Sequence, residues 1–76
     1  MKELLEFLAR EIVDDPDAVQ VTESSDDRGV SLTLKVAPDD MGKVIGRSGR
    51  TARAMRTVVR AAATRQGIGA HIDIVD

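Results

Sequence analysis

The stretch best equipped for chemistry is Gly42-Lys43-Val44-Ile45-Gly46-Arg47-Ser48-Gly49-Arg50. Gly46 and Gly49 stand three apart and carry no Cβ, so another backbone can approach the turn between them closely. The turn leads into a segment of helical period that begins at Arg50. A helix start offers free N–H groups and the positive end of the helix dipole, which suit an anionic phosphate. Arg47 sits inside the loop, Lys43 and Arg50 flank it, and Arg53 follows one turn into the helix. Side-chain charge, free amides and dipole therefore converge on one place. A glycine pair alone is ordinary turn punctuation, so the reading depends on what surrounds it.

Other chemistries lack their residues. The chain has no cysteine, which removes disulfides, thiolate metal sites and a thiol nucleophile. His71 is the only histidine and has no partner for acid–base work or metal binding. Asp14, Asp15, Asp17, Asp26 and Asp27 fall in turn segments, where aspartate is favoured for local hydrogen bonding rather than for metal. Only three residues separate Gly42 from Gly46, and Arg47 follows, so this is not the loop of a phosphate-loop NTPase. No catalytic residue, metal or cofactor is expected, and an enzyme is the least favoured class.

The charge distribution supports an anionic partner. Net charge is −2, but residues 1–40 hold eleven acids and four bases, whereas residues 41–76 hold seven bases and two acids. No acid occurs from residue 41 to residue 72. Such asymmetry between halves points to a charged partner. Arg53, Arg56 and Arg60 share one helix face and could extend the basic surface. Phe7 is the only aromatic residue, so a surface that reads bases by stacking them on aromatic rings is not available.

Hydropathy places these residues on elements. Leu4, Leu5, Leu8 and Ile12 mark a helix over 2–13, which the Pro16 turn stops. Val19 and Val21 mark a strand over 18–24, followed by a polar turn over 24–29. Val30, Leu32, Leu34 and Val36 alternate with polar residues in a strand over 30–36. Pro38-Asp39-Asp40 signals a helix start, with Asp39 or Asp40 as cap, and a short helix over 40–45 ends at Gly46. Ala52, Met55, Val59 and Ala62 give the core stripe of a helix over 50–66. Ala70, Ile72 and Ile74 alternate in a last strand. The predicted chain is one α+β domain over 1–76, ordered α-β-β-α-α-β. It has a three-stranded mixed sheet, helices on one face, and a last strand parallel to that at 30–36. No apolar run is long enough for a membrane span, and the N-terminus is unlike a signal peptide, so a cytoplasmic protein is expected.

Val44-Ile45-Gly46-Arg47-Ser48-Gly49 resembles the core signature of KH domains, a Val-Ile-Gly-x-x-Gly segment joining two helices. The element order resembles the type II topology of bacterial KH domains. Length and the run from Gly42 to Thr51 resemble the small stand-alone bacterial KH proteins of the KhpA type. The resemblance implies that the glycine loop clamps the backbone of single-stranded RNA while bases lie in an adjoining groove. Gly46 and Gly49 would permit approach, Arg47 and Ser48 would face phosphates, and Val44 and Ile45 would help floor a groove between the 50–66 helix and the 30–36 strand. Lys43, Arg50 and Arg53 join the RNA-binding set from charge and spacing. Ala52 departs from the pattern, which usually has a larger apolar residue there, and a shallower apolar surface is expected. The resemblance further implies self-association or pairing with a larger KH-domain RNA-binding protein. It also implies a role as RNA chaperone or post-transcriptional regulator linked to cell elongation and division. Two other readings stay open: a helix–turn–helix whose 50–66 helix enters duplex DNA, and a protein-interaction or dimerisation module.

Overall fold

A computed structural model describes all 76 residues. The elements are α1 (Lys2–Ile12), β1 (Gln20–Asp26), β2 (Gly29–Lys35), α2 (Met41–Ile45), α3 (Arg50–Arg65) and β3 (Gly69–Val75). Single 3-10 turns at Pro16–Ala18, Pro38–Asp40 and Arg47–Gly49 link them. The order is the α-β-β-α-α-β expected. No helix is long and apolar enough to cross a membrane.

The sheet runs β1-β2-β3. β1 and β2 are antiparallel with Val21 opposite Leu34, and β2 and β3 are parallel with Leu32 opposite Ile72. Val21, Leu32, Leu34 and Ile72 point to one face, where they pack with Leu5 and Ala9 of α1, Val44 of α2, and Met55 and Val59 of α3. The other face carries Thr22, Ser24, Ser31, Lys35, His71 and Asp73, all exposed. Period-two alternation of apolar and polar residues thus assigns the helices to one side.

The structure departs from the sequence reading in local details. The hairpin turn is only Asp27-Arg28, because pairing continues to Asp26 opposite Gly29. Strand pairing overrides the weak strand preference of Ser24, Ser25 and Asp26, and Asp26 Oδ1 accepts the Arg28 N–H at 2.8 Å to tighten the turn. The α3 stripe ends on Ala63, which is buried, rather than on half-buried Ala62. Phe7 of α1 is 61% exposed.

Asp40 does not cap α2, which has no side-chain cap. Its buried carboxyl group reaches back instead to the end of α1. Oδ1 accepts the Asp14 N–H and Oδ2 the Asp15 N–H, both at 3.1 Å. One side chain therefore ties the α1–β1 connection to the start of α2. Asp40→Ala should cost roughly 2 kcal/mol, because two part-buried amides lose their acceptor. Asp40→Asn keeps one carbonyl acceptor and should cost less. Urea denaturation measures both, and an alanine variant as stable as the parent would refute this tie.

Candidate nucleic-acid interface

The loop between α2 and α3 reverses the chain in four residues. Gly46 takes φ 77°, ψ 171°, Ser48 φ 56°, ψ 26°, and Gly49 φ 74°, ψ 14°. Ser48 is the only non-glycine residue at positive φ in the chain, a conformation that L-residues adopt at a cost. The Gly49 N–H donates to Gly46 O at 3.1 Å, which closes the turn. α3 then begins without a side-chain cap, so its remaining first-turn amides are left to solvent or to an anion.

The two glycines have different duties. A Cβ on Gly46 would collide with the Thr51 side chain, whereas one on Gly49 would meet nothing within 4 Å. Gly46 is thus required by the chain's own packing. Only Gly49 has open space on its Cβ side, so the two glycines are not equivalent. Thr51, not singled out from the sequence, is what fixes Gly46.

The other expected residues divide likewise. Val44 is fully buried in the core and cannot floor a groove. Its burial follows from α2 being so short that its one inward residue must anchor it. Ile45 is half-buried beside the loop. Ala52 is also buried, so its small side chain bears on packing under α3 and not on an outer surface. Arg47, Ser48, Arg50 and Arg53 are exposed. None of the six arginines from 47 to 65 forms an ion pair, so the basic surface is unneutralised.

Lys43 is the exception. Its Nζ donates to Asp14 Oδ2 at 2.7 Å. The hydrogen bond and charge of Asp14, helped by Asp40, raise the lysine pKa. Lys43 therefore stays charged throughout the neutral range. The pair's contribution to stability is present below the ordinary lysine pKa and lost as pH rises through the raised one. The turn acids of the sequence reading thus include one that holds a site cation.

α3 has two unlike flanks. Arg53, Arg56 and Arg60 lie toward β3, where the Arg56 Nε donates to Ile72 O at 3.4 Å. Thr51, Ala54, Met55 and Val58 lie toward Leu8 and Ile12 of α1. The strand beside α3 is β3, and β2 lies beyond it in the middle of the sheet. Any groove along α3 is therefore bounded by β3 and not by the 30–36 strand. The short Gln66–Ile68 connection returns the chain directly beneath its own helix.

This order of elements, with a two-glycine loop between α2 and α3, defines a KH domain of the type II kind. The family model for the KhpA/KhpB KH domain matches residues 2–74, and the chain belongs to that family. It is 53% identical over 76 residues to the RNA-binding protein KhpA of Halalkalibacterium halodurans, covering all of both chains. It is 51% identical over 75 residues to that of Clostridium acetobutylicum, covering 99% of this chain and 100% of the relative. It is 54% identical over 76 residues to that of Streptomyces coelicolor, covering 100% of this chain and 92% of the relative.

The asymmetry of the two glycines is measurable. Gly49→Ala should cost about 1 kcal/mol, the price of a left-handed residue with a Cβ. Gly46→Ala should cost at least about 2 kcal/mol, since backbone strain and collision add. Thermal melts of the two variants give the comparison, and equal losses would contradict the assigned roles.

Proposed function

We propose that this chain binds single-stranded RNA by gripping its sugar–phosphate backbone at the Gly46-Arg47-Ser48-Gly49 loop. The observation that carries the reading is the free space at Gly49, with Arg47, Arg50 and Arg53 within four residues of it in sequence, exposed and without carboxylate partners. A strand backbone fits against Gly49 because nothing projects there. Its phosphates meet exposed guanidinium groups and the uncapped start of α3. Lys43, held by Asp14, adds a fixed charge behind the loop. Relatives about half identical over their full length carry the name RNA-binding protein. Grip on the backbone with little base choice suits RNA chaperoning or post-transcriptional regulation.

Duplex DNA suits the surface less well. A recognition helix needs one long outward face free to enter a groove, whereas Arg56, in the middle of the basic flank, is held at the β3 edge. Fluorescence anisotropy with a single-stranded RNA octamer and a DNA duplex at matched salt tests the choice. Gly49→Asp places a negative charge in the free space without an internal collision and should weaken RNA binding at least about tenfold, with the far-UV spectrum unchanged. Affinity should fall with salt at a log–log slope of about −2, as for three phosphate contacts on a single strand. Unchanged affinity in the folded variant, or tighter duplex binding, would overturn the proposal.

A specific observation also favours self-association. Leu8, Ile12, Thr51, Ala54, Met55 and Val58 line an apolar hollow of about 170 Å³ between α1 and α3. Val58, in its lining, is 45% exposed. A domain that covers about four nucleotides gains useful affinity when a second copy, or the KH domain of a larger RNA-binding protein, is joined to it. The apolar flank lies on the opposite side of α3 from the arginines, so pairing there leaves the loops open. Val58→Glu should shift the protein to a monomer in sedimentation velocity and retain its helix content. A wild-type protein that sediments as a monomer at high concentration would remove this reading.

A further inference from the structure

We infer that Asp14 lowers the affinity of the loop for RNA by holding the Lys43 ammonium against a phosphate's pull. The inference rests on the backbone grip proposed above and assigns a residue that sets its strength. Lys43 lies in the last turn of α2, three residues before Gly46. Three residues rise only about 4.5 Å along a helix, so the flexible four-carbon stem of a lysine there is long enough to serve a phosphate at the loop. The structure places the ammonium on Asp14, 2.7 Å from Oδ2. Asp14 is not a loose surface acid. Its N–H donates to Oδ1 of Asp40, whose carboxyl group is buried, and the next amide, of Asp15, donates to Oδ2. The backbone that carries the Asp14 carboxylate is thus anchored at the start of the helix that carries Lys43. One frame holds both partners, so their ion pair forms with less loss of freedom than a pair between unconnected surface groups.

Lys43 is therefore the one cation from residue 41 to residue 65 that has a carboxylate partner, and it stands immediately ahead of the loop. A phosphate engages it fully only by displacing Asp14. Where the ammonium bridges both groups, the carboxylate stays beside the phosphate and repels it. The pull that raises the lysine pKa, first the Asp14 hydrogen bond and then its charge, opposes the exchange. The pair is open to solvent, with the Lys43 side chain 46% and the Asp14 side chain 78% exposed. A strand can reach it, and because exposed pairs are weak the exchange is disfavoured by a modest factor and not blocked.

The test uses the full chain and the single-stranded RNA octamer over a range of salt. Asp14→Asn removes the charge and keeps the amide that Asp40 binds. At low salt it should bind the octamer about threefold more tightly than the parent, the scale of one exposed ion pair. Its log–log salt slope should steepen by about 0.7, the increment of one more phosphate contact on a single strand. Asp17→Asn removes an exposed, unpaired acid from the following turn and controls for net charge. It should leave affinity within about 1.5-fold of the parent, since screening mutes a charge that touches nothing. Lys43→Gln added to Asp14→Asn should erase both the gain and the steeper slope. An Asp14→Asn protein that binds as the parent does or more weakly, an equal gain from Asp17→Asn, or a gain that survives Lys43→Gln overturns the assignment. Failure of the grip looks different: a folded Gly49→Asp protein then binds the octamer as tightly as the parent, whichever residue stands at 14.

Discussion

A five-residue helix has no stability of its own, because nucleation costs more than so few hydrogen bonds return. α2 exists only because it is held at three points, and the loop that follows depends on them. Asp40 binds its start to the amides of Asp14 and Asp15. Val44 anchors its middle in the core. Gly46 fixes its end, seated so closely on Thr51 that no side chain fits. The direction in which the loop leaves α2, and the place where α3 begins, follow from these restraints. The left-handed pair Ser48-Gly49 is then the one way to turn the chain back within the space available. Ser48 bears the backbone strain of that pair, since Gly49 has no Cβ.

The same restraints explain why Lys43 differs from the arginines. Asp40 draws the end of α1 against α2, which brings Asp14 within 2.7 Å of the Lys43 ammonium. A cation already paired releases less on meeting a phosphate than one that is free, since an ion pair must be broken or shared. The arginines after Gly46 have no acid among them in sequence and none near them in space. A chain of net charge −2 can thus present a local positive field. At physiological salt, charges beyond about 8 Å are largely screened, so an acid of the first half weighs on this region mainly where it makes contact, as Asp14 does with Lys43 of α2.

Much of this architecture was legible in the sequence because it rests on period. The alternation through Val30, Leu32, Leu34 and Val36 and the stripe through Ala52, Met55 and Val59 each specify an element and a buried face. Glycine spacing marked the loop, because few other residues reach positive φ. What the sequence hid was long-range. Asp40 looked like a helix cap, since Asp after Pro at a helix start usually is one, and its partners lie 25 and 26 residues away. Val44 and Ile45 looked alike, and only the orientation of α2 buries one and half-exposes the other. Gly46 and Gly49 looked equivalent until Thr51, five residues on, was seen to occupy the space above the first.

The division of α3 into flanks gives one helix four separate duties in so small a domain. One helix contributes its start to the loop, its buried face to the core, its arginine flank to the β3 edge and its apolar flank to the α1 side. The Arg53 and Arg60 side chains are exposed and unpaired. Arg56 alone is tied, and it is tied to a carbonyl that the open edge of the sheet would otherwise present to any passing strand. One hydrogen bond therefore occupies a single carbonyl of that edge and holds the Arg56 side chain against the sheet.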